Sequence, residues 1–160
     1  MRKLKLYIET STWNFVFADD SPEKMAITKD FFDLVRQGIY DIYTSDIVLL
    51  EVERAPDEIK RELSKLISEF TPQEIKSNPE AEDLAQQYLD NKIVPANKIE
   101  DALHVAIATV KELDAVVTWN YRHMANLRKA ELFYSVNVAM GYHKRLAIIT
   151  PTEVSRYDER

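Results

Sequence analysis

The chain has no cysteine in its 160 residues. That absence excludes a disulfide scaffold, thiolate metal sites and cysteine nucleophiles, and makes a cytoplasmic protein the simplest expectation. Only two glycines are present, and the chain reads as compact and mostly helical. No stretch approaches the roughly 20 apolar residues of a membrane span. The opening MRKLKLYIE is basic, but its apolar run is too short for a signal peptide. Repeats, low-complexity tracts and linkers are also missing, so residues 1–160 are expected to form a single domain. A chain of this length buries about 70% of its unfolded surface and folds without a structural metal.

Excess positive charge is lacking too. The net charge is −6, which excludes a protein coated in positive field. Charge is unevenly placed, however. Between Trp119 and Thr150 stand Arg122, Arg128, Lys129, Lys144 and Arg145 against Glu131 alone, so a local basic surface is open.

What is present alternates. Short runs near 4–8, 41–44, 114–118 and 146–149 carry the β-branched and aromatic residues of strands, and longer periodic segments separate them, a pattern that predicts a parallel sheet. Ser21-Pro22 opens a helix running to about Gln37, and Gly38 supplies its left-handed stop. Ser45 or Asp46 caps a helix carrying Glu51, Pro56 ends it, and 57–68 has an apolar stripe at helical spacing. Asn78-Pro79 opens another helix, whose stripe of Ala81, Leu84, Ala85, Tyr88 and Leu89 reads as a core face.

In the segment NKIEDALHVAIA, Asn97 and Glu100 have the spacing of a capping box, which occupies Glu100 and leaves Asp101 without a local task. The helix that follows is apolar nearly all round and should be buried, with Asp101 at its edge. An acid there also suits the helix dipole, so a plain structural reading stands beside a functional one.

Ligands of a doubly wound sheet sit beyond the carboxyl ends of its strands, where strand order reverses. Glu9 closes the first strand in LYIETSTW, and Asn120 follows the strand ending VVTW. Simple β-α-β logic does not bring Asp101 to that edge. A helix hairpin over 79–111, its second helix starting over the carboxyl edge, would do so.

These elements resemble the PIN-domain nucleases, which include the VapC-type toxins of toxin–antitoxin pairs. The resemblance rests on a first strand ending IETS, Glu51 in SDIVLLE, Asp101 in DALHVAIA, and VVTWN followed by Tyr-Arg-His, and it covers nearly the whole chain. It implies a three-layer α/β/α sandwich with a central, mainly parallel sheet. It also implies a ribonuclease whose acids hold Mg²⁺ or Mn²⁺. By resemblance, Glu9, Glu51 and Asp101 are the metal-site acids, and Asn120 stands at a fourth catalytic position commonly aspartate. Thr10, Ser11 and Thr118 support the site. Arg122, His123, Arg128 and Lys129 would meet RNA phosphates, an antitoxin protein would block the cleft, and the chain would form a homodimer.

Two carboxylates about 4 Å apart repel by about 4 kcal/mol at an effective dielectric near 20, so a cluster of acids calls for a cation. Hard oxygen ligands favour Mg²⁺ or Mn²⁺ over zinc. Two departures bear on activity: Glu9 replaces the commoner aspartate, and Asn120 is neutral. A degenerate RNA- or protein-binding module is therefore an alternative to the enzyme. A dehalogenase-like phosphatase would want a second acid where Ser11 stands, and a receiver domain would want paired acids near its first strand. Bland readings remain beside the sharp ones. Glu51 fits a surface position at a frayed helix end, and His104, one turn from Asp101 and so placed to orient a ligand, fits a hydrogen-bonded core histidine better. The basic residues, Lys144 and Arg145 included, fit a solvated face, and Trp13, Phe15 and Phe17 fit ordinary packing.

Overall fold

The computed structural model describes residues 2–155. Strand β1, Leu4–Ile8, leads directly into a short helix α1, Thr10–Asn14, and a 3-10 turn over Phe15–Phe17. The remaining order is α2 Pro22–Arg36, β2 Tyr40–Ser45, α3 Asp46–Glu53, α4 Asp57–Phe70, β3 Gln73–Ile75, α5 Pro79–Asp90, α6 Ile99–Val110, β4 Ala115–Val117, α7 Leu127–Ala139, β5 Ala147–Ile149 and α8 Pro151–Ser155.

All pairings are parallel, in a five-stranded sheet of order β3-β2-β1-β4-β5. Strand order reverses at β1, between β2 and β4, which makes its carboxyl end the place for a site. Leu6, Tyr7 and Ile8 are fully buried, as a central parallel strand covered on both faces requires. Side chains alternate across the sheet. Tyr40, in register with Leu4, packs its ring on Phe31 of α2. Tyr7, pointing the other way, meets His104 of α6. Helix α2 packs with α8 on one face, and α5 with α6 and α7 on the other, giving the α/β/α sandwich.

Local signals explain several boundaries. Gly38 has φ of 79°, the left-handed stop predicted after α2. Ser45 and Asn78 cap α3 and α5 by accepting from Val48 N and Ala81 N. At the amino edge, the Asp114 carboxylate accepts from Arg2, from Lys5 N and from Lys144, joining the starts of β1 and β4 to the segment before β5.

Two expectations need correction. Strand β3 has no counterpart in the four predicted strands, because Gln73, Glu74 and Ile75 form an edge without an apolar pattern. The Asn97–Glu100 capping box does not form. Residues Ala96–Lys98 make a 3-10 turn, α6 begins at Ile99 without a side-chain cap, and Glu100 pairs with Arg54 at 2.5 Å.

Candidate metal centre

Glu9 ends β1 in extended geometry and caps α1. Its Oε1 accepts from Ser11 N at 3.0 Å, Ser11 Oγ at 2.5 Å and Thr118 Oγ1 at 2.7 Å. Those contacts answer why hydroxyls follow an acid at the end of a core strand: they hold one carboxylate oxygen where water cannot compensate for burial. Ser11 Oγ also accepts from Trp119 N at 2.9 Å, tying the end of β1 to the end of β4.

Glu51 lies on α3, which starts where β2 stops. It is neither frayed nor free. Its Oε1 accepts from Thr10 Oγ1 at 2.5 Å and meets His104 Nε2 at 2.6 Å, and its side chain is 22% exposed. His104 is wholly buried, and its Nδ1 is 2.5 Å from the Tyr7 hydroxyl, which lies 2.7 Å from Ser45 Oγ. A hydrogen-bonded chain thus runs from the α3 cap through the core to Glu51. His104 combines the two sequence readings, being a core histidine that orients an acid.

Asp101, at the start of α6, comes to the same edge because α5 and α6 pack along each other. Its Oδ2 is 3.4 Å from Asn120 Nδ2. Asn120 is itself fixed, its N donating to Thr118 Oγ1 and its Oδ1 accepting from His123 N, both at 3.0 Å.

The charges are strongly coupled. Burial, followed by the negative charge of Glu9, raises the Asp101 pKa above the ordinary aspartate range. Burial also pushes Glu51 upward, but the hydrogen bond and charge of His104, with Thr10 and Arg54, outweigh it and hold Glu51 below its usual value. For His104, burial opposes the charged form, yet the bond to Glu51 and the charges of Glu9, Glu51 and Asp101 raise its pKa. Burial likewise lifts the Tyr7 phenol well above its ordinary range.

Among the described residues, Glu9, Glu51 and His104 each place one possible ligand atom within 4.8 Å of the others. Asp101 is outside that tight set, although its charge is felt by His104. A cleft of about 350 Å³ opens beside Glu51 and Asp101, also lined by Arg54, Asn97 and Lys98. Another groove, of about 570 Å³, is lined by Arg122, His123, Lys129 and Lys92. Lys129 is partly engaged, donating to the Ile93 carbonyl. Arg128 is exposed on α7.

Other predicted cations lie elsewhere. Lys144 pairs with Asp114 at the amino edge, and Arg145 pairs with Glu131 and stacks on Tyr134. Trp13 is wholly buried against Phe32. Phe15 meets Trp119 edge-on, and the Lys24 ammonium lies 5.7, 5.4 and 5.3 Å from the Phe15, Trp119 and Tyr121 ring centroids. Sequence reasoning did not find Tyr7 or Ser45 as partners of the site. A tyrosine in an otherwise aliphatic strand was the available signal, since a buried phenol needs a partner.

No family model and no curated protein matches the chain. Its fold is similar to that of Mycobacterium tuberculosis VapC20, a sarcin-ricin loop cleaving toxin, with a TM-score of 0.56 and 14% identity over 74% of this chain and 92% of that one. The architecture is accordingly a PIN-like α/β/α sandwich with an all-parallel sheet.

Proposed function

We propose that the chain is a metal-dependent endoribonuclease that hydrolyses RNA phosphodiester bonds in a Mg²⁺ or Mn²⁺ cleft. The observation that carries this reading is the convergence of Glu9, Glu51 and Asp101, from three separate elements, at the point where strand order reverses. The donor set fits such an ion. The hydrogen bonds to Glu9 and Glu51 among the described residues fall on Oε1, leaving each Oε2 as a hard donor without a hydrogen bond, that of Glu9 3.9 Å from His104 Nε2.

Bound there, the ion would acidify a water for attack on phosphorus and offset charge on the phosphate. The chain's own residues do the rest. Glu9, Glu51 and Asp101 hold the ion, Thr10, Ser11 and Thr118 fix the carboxylates, and Asn120 orients Asp101. Arg122, His123 and Lys129 hold the RNA backbone, with Arg128 further out on the same helix start.

The fold shared with VapC20, itself a toxin that cleaves the sarcin-ricin loop, supports a toxin role. The antitoxin protein covering the cleft, the homodimeric state and the cytoplasmic setting belong to this proposal through the resemblance of the sequence motifs alone. A second reading is a PIN-like binding module without catalysis. It is favoured by the neutral Asn120 and by the imidazole that already faces Glu51.

The test is cleavage of end-labelled single-stranded RNA by pure protein with Mn²⁺, Mg²⁺ or EDTA, with Asp101→Asn in parallel. Metal-dependent cleavage lost in the variant supports the enzyme. RNA binding without cleavage, unchanged by EDTA, favours the module.

A further inference from the structure

We infer that His104 is a positioning residue that restricts Glu51 to coordination through one oxygen, so that the site selects small, octahedral divalent ions over Ca²⁺. The inference rests on the metal-site reading above and assigns a role to a residue outside its acids.

Glu51 Oε1 faces two donors, Thr10 Oγ1 at 2.5 Å and His104 Nε2 at 2.6 Å. The imidazole cannot swing away, because its other nitrogen is 2.5 Å from the Tyr7 hydroxyl and that hydroxyl is 2.7 Å from Ser45 Oγ. Ser45 Oγ in turn accepts from Val48 N, the cap of the helix that carries Glu51. Tyr7, Ser45 and His104 all have 0% exposure. With a neutral imidazole, one proton arrangement satisfies every group: Ser45 donates to Tyr7, Tyr7 to Nδ1, and Nε2–H to Glu51. Glu51 therefore begins and ends a loop through the core, and its Oε1 is committed.

Glu9 is treated alike by Ser11 and Thr118, so two carboxylates each present a single oxygen. Ca²⁺ collects six to eight oxygens and uses two-oxygen carboxylates readily, whereas Mg²⁺ keeps several waters in a strict octahedron. Mn²⁺ also suits an octahedral oxygen set. With Glu9 and Glu51 each limited to one oxygen, Ca²⁺ loses two of the protein oxygens it would otherwise take, whereas an octahedral ion that keeps its waters does not need them. Freeing Oε1 of Glu51 would return one of them.

Calorimetric titration of the full chain with Mn²⁺, and separately with Ca²⁺, tests this in wild type, His104→Leu, His104→Gln, Thr10→Val and Asp101→Asn, with circular dichroism to establish folding. The wild type is expected to prefer Mn²⁺. The ratio should fall by about tenfold in His104→Leu, the scale on which residues behind a ligand tune metal affinity. Thr10→Val, which removes the other donor to Oε1, should lower it in the same direction and keeps the test decisive if His104→Leu does not fold. His104→Gln, with an amide able both to donate to Glu51 and to accept from Tyr7, should restore it. Equal weakening of both ions, with the ratio unchanged in the folded variants, overturns the positioning role while leaving the metal site intact. If no ion binds wild type in an Asp101-dependent way, the metal-site reading falls and this inference falls with it.

Discussion

Asn120 Nδ2 lies 3.4 Å from Asp101 Oδ2, so a neutral amide donates to a neighbouring acid at the carboxyl edge. Asn120→Asp would turn that donor into a charge in contact with another. Two carboxylates about 4 Å apart repel by about 4 kcal/mol at an effective dielectric of 20, an upper bound for a half-buried, solvent-connected pair. The metal-free variant should melt lower than wild type, and Mn²⁺ should stabilise it more. Thermal unfolding with and without Mn²⁺ decides the matter, and equal melting in EDTA would mean that the charge is fully screened.

Asp101→Asn should act oppositely without metal. The Asp101 pKa is raised in the folded protein, by burial first and by Glu9 second. Ionisation is thus disfavoured by folding, and the stability present below the unfolded pKa near 4 is lost as pH rises through the folded value. Removing the charge should therefore stabilise the metal-free protein at pH 7 by up to about 1 kcal/mol. Urea unfolding in EDTA at pH 7 measures it. A variant less stable than wild type would contradict the unfavourable ionisation assigned to Asp101.

At the opposite edge the sign reverses. Burial acts to raise the Asp114 pKa, but hydrogen bonds from Arg2, Lys5 N and Lys144 hold it far below the usual range. Its contribution is fully present above the unfolded pKa near 4 and is lost as pH falls toward the folded value. Asp114→Asn should destabilise at pH 6 and cost much less at pH 2. Denaturant midpoints at the two pH values give the comparison, and a penalty independent of pH would assign the effect to packing alone.

The two edges should also separate in RNA binding. Arg122 lines the groove next to His123, whereas Lys144 is paired with Asp114. Arg122→Ala is expected to weaken binding of single-stranded RNA and to lower the salt slope by about 0.7, the contribution of one phosphate contact. Lys144→Ala should leave that slope unchanged. Fluorescence anisotropy over a salt series, performed in the Asp101→Asn background, reads both.

Legibility followed local chemistry. Parallel order, the α2 stop at Gly38 and the caps at Ser45 and Asn78 were readable because each depends on a few adjacent residues. Strand β3 was not, since an exposed edge imposes no apolar alternation. The Asn97–Glu100 spacing misled because Arg54, far away in sequence, takes Glu100. The acids Glu9, Glu51 and Asp101 are marked by resemblance, but Asp101 reaches the other two only through the α5–α6 hairpin, a tertiary property. His104 was seen beside Asp101 by helical spacing. Its partner Tyr7 lies 97 residues away in sequence, and Ser45 is 38 residues from Tyr7, beyond any local pattern.

Trp119 sits in a place that gives the molecule its own optical readout. Its backbone N donates to the serine that holds Glu9, its indole N donates to Thr28, and its ring lies beneath the Lys24 ammonium and beside Tyr121. The other tryptophan, Trp13, is sealed in the core. With Trp13→Phe, emission from the remaining indole would follow the arrival of an ion or a nucleobase at the carboxyl edge in real time, with no attached dye.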